Sequence, residues 1–145
     1  MTLSDLLNYK FELAGKIILN DKNKVDYEIH NAVYKSKENA QVYAWVIDAE
    51  IMYIGKAGKG VQKRLSEHRG GWRGGSKTGV SKEKLIRQKL NAGSEIQVYG
   101  RCCDYFLKTV DLFGETKEIR YSLVQEEEDW LLKNFKPIWN SIGLK

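Results

Sequence analysis

The sequence predicts an α+β fold, a small mixed or antiparallel β-sheet flanked by helices. Three observations carry that prediction. Strand-length apolar runs come in pairs across short polar turns, beginning with a hairpin near the N-terminus. Later segments have helical spacing, and Gly93 and Pro137 stop two of them. Strands and helices are mixed, as in α+β domains with an antiparallel sheet.

In chain order, residues 4–13 read as a short helix with Ser4 as N-cap. Lys16-Ile17-Ile18-Leu19 and Val25-Asp26-Tyr27-Glu28-Ile29 flank Asn20-Asp21-Lys22-Asn23, a hairpin pattern. Residues 35–40 are a polar connection. Strands over 42–47 and 50–54, joined by Asp48-Ala49, form a tight antiparallel pair. Residues 55–60 read as loop, and 61–68 as a helix with Val61 and Leu65 on one face and Arg64 and His68 on another. Residues 69–79 read as a flexible, glycine-rich loop with an exposed Trp72. Ser81 caps a helix to about Asn91, with Val80 and Leu85 stapled across the cap. Residues 96–102 read as a strand and 104–118 as ambiguous, with strand-like pieces. A helix from about Ile119 to Phe135 ends before Pro137.

The chain has 145 residues, enough to bury a core without disulfides. No apolar run approaches the ~20 residues that span a bilayer, so no membrane partner is expected. The N-terminus lacks a basic stretch followed by an apolar one, which argues against a signal peptide. The adjacent Cys102 and Cys103 point to opposite faces of a strand and read as reduced packing residues, consistent with a cytoplasmic setting. Net charge is +5, unevenly spread. Residues 56–89 carry eleven Lys or Arg against two acids, while residues 111–129 carry seven acids against two bases. A basic, glycine-rich segment is a footprint for a phosphate backbone.

Within this frame Tyr43, Tyr53, Arg64 and His68 fall in a span of 26 residues. Across a hairpin the two tyrosines can approach one another. Arg64 suits bidentate phosphate binding, and His68, one turn on, can move a proton near neutral pH. Projected on a helix, Glu127 and Glu128 both fall inside the apolar arc of residues 124–135, where a carboxylate needs a metal or an arginine to offset its burial. Helical geometry does not choose between them. Asn140, after the Pro137-Ile138-Trp139 turn, reads as a residue that pins backbone near a site.

Taken in order, Val42-Tyr43, Tyr53-Ile54-Gly55-Lys56, Arg64-Leu65 with His68, and Glu128…Leu131-Leu132-Lys133…Pro137…Trp139-Asn140 resemble the GIY-YIG nuclease family over residues 41–140. The resemblance extends to small stand-alone phage enzymes of that family through Leu85-Ile86, Gly93-Ser94 and Val98-Tyr99-Gly100-Arg101-Cys102. There are two departures. Gln41 replaces the first glycine of the family signature, a position expected to serve packing, and the stretch from Gly55 to Arg64 is one residue longer than usual. The glutamate-to-proline-to-asparagine spacing selects Glu128 over Glu127.

The resemblance implies a metal-dependent DNA endonuclease that leaves 5′-phosphate and 3′-hydroxyl ends and cuts one strand per active site. Glu128 would be the sole protein ligand of Mg²⁺ or Mn²⁺, and Arg64 would bind the scissile phosphate. Tyr43, polarised by neighbouring cations, would take the proton of the attacking water, with His68 sharing that role. Tyr53, Lys56 and the Gly55 backbone would position water or phosphate, and Asn140 would hold the scaffold around Glu128. Arg69, Arg73, Lys77, Lys84 and Arg87 are candidate DNA contacts. The expected partner is double-stranded DNA. A double-strand cut would call for a homodimer or homotetramer, or for sequential nicking. A phage-encoded enzyme acting in the host cytoplasm is expected. The expected division is an N-terminal extension over 1–40 and a nuclease domain over 41–145 with a basic insert at about 69–92, together one structural unit. A non-catalytic nucleic-acid-binding module and a structure-specific repair nuclease are the alternatives.

Overall fold

Strand β3 (Gln41–Ile47) is buried at every residue, and the rest of the fold is arranged around it. The computed structural model describes residues 2–141. In it β3 lies between β4 (Glu50–Ala57) and β5 (Ile96–Cys102), both antiparallel to it. An N-terminal hairpin of β1 (Glu12–Leu19) and β2 (Val25–Ile29) joins the same sheet through β1–β5 pairing. The sheet order is therefore β2-β1-β5-β3-β4, antiparallel throughout.

Side chains alternate across a strand, so β3 feeds two cores. Tyr43, Trp45 and Ile47 pack with Leu65 of α2 (Val61–Gly70) and Ile86 of α3 (Lys77–Asn91). Val42, Ala44 and Val46 pack with Leu6 of α1 (Leu3–Asn8) and Leu131 of α4 (Val124–Phe135). A strand covered on both faces is apolar throughout rather than alternating, as Val42-Tyr43-Ala44-Trp45-Val46-Ile47 is. The β3–β4 turn is the expected two-residue one, with Asp48 and Ala49 at φ 50° and 64°.

Several boundaries differ from expectation. α1 is capped by Thr2 rather than Ser4 and ends at Asn8, because Lys10 turns the chain at φ 64° and Glu12 begins pairing with β5. β4 continues through Ala57, beyond the expected end at Ile54. The stretch over 69–79 is largely helical rather than a flexible loop. α2 runs to Gly70, a wide π turn spans Gly71–Gly75, and Ser76, not Ser81, caps α3 by accepting from the Gly79 amide at 3.0 Å. Glycine is required at Gly79, where a Cβ would collide with the Gly71 backbone. That close turn carries Trp72 inward, so it is buried rather than exposed.

The ambiguous segment is a hairpin arm, β6 (Tyr105–Leu112) and β7 (Glu115–Ser122), turning at Phe113 and Gly114 with φ 53° and 88°. Positive φ at both turn residues matches the twist of a two-residue hairpin. α4 thus starts at Val124, not near Ile119, and ends on a left-handed Lys136 just before Pro137. Among the described residues, no helix is long and apolar enough to cross a membrane.

Candidate active site

A cleft at the open edge of the sheet is lined by Tyr43 from β3, Tyr53, Gly55 and Lys56 from β4, Arg64 and Glu67 from α2, and Glu128 from α4. Four elements far apart in sequence therefore converge on one surface. The strand register explains the tyrosines. Tyr43 stands opposite Gly55 and Trp45 opposite Tyr53, so the two phenols are diagonal neighbours with ring centroids 6.1 Å apart. A Cβ at position 55 would overlap the Tyr43 ring, so glycine there lets the phenol lie over the β4 backbone.

His68 does not open to solvent beside Arg64. It is buried in an aromatic box, with ring centroids 5.0 Å from Trp45, 5.6 Å from Tyr53 and 6.2 Å from Trp72. Its Nε2 lies 2.6 Å from the Tyr43 hydroxyl. Burial, reinforced by the positive charges of Arg64 and Lys82, pushes the imidazole pKa down to about 3, so His68 is neutral at pH 7.

The tyrosines behave differently from the cation-polarised base expected of Tyr43. Burial raises the Tyr43 pKa well above its ordinary value, and Arg64 only partly opposes this. Tyr53 is also raised, burial again outweighing Arg64. Desolvation of a phenolate exceeds the attraction of one half-exposed guanidinium.

The two neighbouring glutamates separate cleanly. Glu127 Oε1 accepts from Arg101 Nε at 2.7 Å, and its Oε2 accepts from the Asp104 amide at 2.7 Å. Arg101 also donates to the Tyr9 carbonyl, so this cluster ties α4 to β5 and α1. Glu128 faces the cleft. Burial, helped by the neighbouring Asp129 charge, raises its pKa, while the Lys56 ammonium and amide and the Arg64 charge pull it back. Lys56 itself is exposed and donates to the Gln125 side chain. Arg64 is half-exposed, with Glu67 3.9 Å away as its nearest carboxylate.

Asn140 acts on β4. Its Oδ1 accepts from the Ile54 amide at 2.9 Å and its Nδ2 donates to the Ile54 carbonyl at 2.7 Å. Because β4 is an edge strand, the side-chain amide stands in for a missing strand partner beside Tyr53 and Gly55.

With this geometry in place, comparison with known proteins is informative. No protein-family model matches the chain. Endonuclease II of Enterobacteria phage T4 is 32% identical over 100 residues, covering 68% of this chain and 70% of that protein. The chain belongs to the GIY-YIG nuclease family. Its fold matches the structure of a glutamate-to-alanine mutant of bacteriophage T4 endonuclease II at TM-score 0.72 and 27% identity, over 97% of this chain and 99% of that one. It also matches restriction endonuclease Hpy188I in complex with product DNA at TM-score 0.57 and 23% identity, over the whole of this chain and 86% of that one, a likeness of fold alone.

Against the family signature, Gln41 is more than a packing substitute for glycine. Fully buried, it donates from Nε2 to the Val33 carbonyl at 3.0 Å and accepts at Oε1 from the Val61 amide at 2.9 Å. Val61 opens α2, whose N-cap is Gly60, which offers no side chain. Gln41 therefore caps the helix that carries Arg64 and His68, meeting one of its orphan donors.

The other basic candidates divide. Arg69 and Arg73 lie 3.1 and 3.9 Å from Asp26 of β2, and Arg73 also donates to the Val25 carbonyl. Arg87 pairs with Glu83 at 2.6 Å and donates to the Asn23 carbonyl. These three brace the helical layer against the β1–β2 hairpin. Lys77 and Lys84 are exposed. Sequence reasoning passed over the aromatic box of Trp45 and Trp72 and the tie between Arg101 and Glu127. Trp72 lay hidden in a glycine-rich stretch. The arginine called for by the apolar-arc glutamates was already in the Val98–Cys102 match.

Proposed function

We propose that the protein is a metal-dependent DNA endonuclease that hydrolyses one phosphodiester bond per site, leaving 5′-phosphate and 3′-hydroxyl ends. The observation that carries this reading is the convergence of Tyr43, Tyr53, Arg64 and Glu128 on one cleft, in a chain related to phage endonuclease II. The reading extends to double-stranded DNA as substrate, with a homodimer or homotetramer, or sequential nicking, where both strands are cut.

The cleft fits a hard divalent cation. It offers one half-buried carboxylate, Glu128, facing Arg64 and Lys56 across the cleft, and it is open to water. Mg²⁺ or Mn²⁺ held by Glu128 and water would supply a Lewis acid for the leaving 3′-oxygen and the phosphate charge. Arg64 holds the scissile phosphate and offsets its growing negative charge. Lys56 adds a second positive group on the β4 side.

In this scheme Tyr43 and His68 share the proton work. The neutral imidazole accepts the Tyr43 O–H at Nε2, which requires the tautomer protonated on Nδ1. As water attacks phosphorus, its proton passes to the Tyr43 oxygen while the phenolic proton passes to His68 Nε2. No free phenolate forms, in keeping with the upward shift of Tyr43, and the imidazolium is only transient because the burial of His68 disfavours it as well. Tyr53 orients water or phosphate from β4. Asn140 keeps that edge strand in register.

The test is nicking of supercoiled plasmid in Mg²⁺ or Mn²⁺, with end-labelling of the products. Ligatable 5′-phosphate ends, formed only with divalent metal, support the reading. Binding without any metal-stimulated cleavage would instead make the chain a binding module.

A further inference from the structure

Lys82 is a half-buried cation at the edge of the site whose role the family motif does not supply. It lies on α3, and its Nζ sits 4.9 Å from the centroid of the Tyr53 ring. Among the described residues no carboxylate lies within ion-pairing distance of it, unlike Arg69, Arg73 and Arg87, which all have acidic partners. It also lies close enough to Arg64 for the two positive charges to repel, and burial and that repulsion together lower its pKa. Two neighbouring cations, one of them over an aromatic ring, with no anion shared between them are unfavourable in the free protein. A polyanion would relieve both the repulsion and the desolvation.

Lys82 is not among the residues lining the cleft that holds Glu128. It stands across the Tyr53 ring, on the α3 side. A strand whose scissile phosphate sits at Arg64 carries further phosphates on either side of it, and Lys82, over the Tyr53 ring, is the cation that α3 offers to one of them. We infer that Lys82 binds a non-scissile backbone phosphate of the cleaved strand, extending the anion track from Arg64 across Tyr53 onto α3. Tyr53 would then separate two phosphate sites, its ring supporting the lysine stem and its hydroxyl facing the scissile group. The inference rests on the nuclease reading above. It goes further by naming where the strand leaves the site.

The experiment measures binding of the full chain to a short duplex in EDTA over a salt series of about 50 to 200 mM. Each lost duplex phosphate contact lowers the slope of log affinity against log salt by about 0.9. Lys82→Gln should lose about that much slope and bind roughly tenfold more weakly at low salt. Lys82→Arg should keep the slope. In Mg²⁺ the glutamine variant should raise KM by a larger factor than it lowers kcat. In the wild type, added duplex should protect Lys82 from acetylation, a readout that holds even if the glutamine variant folds poorly. Wild-type affinity and slope in Lys82→Gln, or equal acetylation with and without duplex, overturns the inference. Glu128→Ala separates the two claims. If it is inactive while Lys82→Gln binds like wild type, only the present inference fails. If it still cuts while the Lys82→Gln slope falls, the metal side of the site fails and the phosphate track stands.

Discussion

Glu127 and Glu128 are adjacent on α4, yet they belong to different regions of the molecule. Glu127 is closed off by Arg101 and the Asp104 amide, in a cluster that ties three elements together. Glu128 faces a cleft with two phenols and two cations and keeps a raised pKa. One carboxylate is compensated by direct hydrogen bonds and an ion pair, and the other only by the nearby Lys56 and Arg64 charges. On the proposed reading, the contrast separates a residue that holds the structure from one that does chemistry. Charge and burial pattern alone would score the two alike.

The comparison predicts opposite outcomes on its two sides. The largest effect belongs to the open side. Arg64→Ala should lower kcat by about 10²–10³ with little change in melting temperature, because half-exposed Arg64 has only a distant surface pair with Glu67 to lose. Single-turnover cleavage and thermal melting together check this. On the closed side, Glu127→Ala should cost about 3 kcal/mol in urea unfolding, by leaving the Asp104 amide without its acceptor and half-buried Arg101 with only the exposed Asp104 carboxylate and the Tyr9 carbonyl. Asn140→Ala should follow at about 2 kcal/mol, one for each bond to Ile54. Hydrogen exchange at Ile54 should speed up by more than exchange in β1, which Asn140 does not touch.

The effect that is smallest near neutral pH is a pH dependence. His68 has a folded pKa of about 3 against 6.5 for an exposed histidine, so below 6.5 the unfolded chain binds the extra proton. Its contribution to stability is complete above 6.5 and falls as pH drops toward 3, by up to about 1.4 kcal/mol per pH unit. Denaturant unfolding at several pH values should show that slope in the wild type, and His68→Gln should flatten it. An unchanged slope would mean that the box around His68 is wetter than its burial indicates.

The readability of the sequence follows the same division. The β3–β4 hairpin and the α2 face bearing Arg64 were legible because buried strands and helices impose period and turn chemistry on the chain. The cleft could be anticipated because its residue types are costly in a core without a purpose. The β6–β7 arm was not legible, since both of its faces are exposed and no alternation marks them. The turn between α2 and α3 misled for a different reason. Its glycines read as flexibility, whereas at Gly71 and Gly79 they permit the close packing that buries Trp72. Burial of His68 depends on that turn and could not be read from local sequence. The single acidic partner of Arg69 and Arg73, Asp26, comes from the distant β1–β2 hairpin.

The most direct test exchanges the two glutamates. Glu127→Ala and Glu128→Ala are compared for plasmid nicking in Mg²⁺ at equal concentrations of folded protein, below the melting temperature of both. The account predicts that Glu128→Ala folds with undiminished stability and loses cleavage, while Glu127→Ala is less stable but cuts at close to the wild-type rate per folded molecule. Cleavage retained by Glu128→Ala and lost by Glu127→Ala would contradict it.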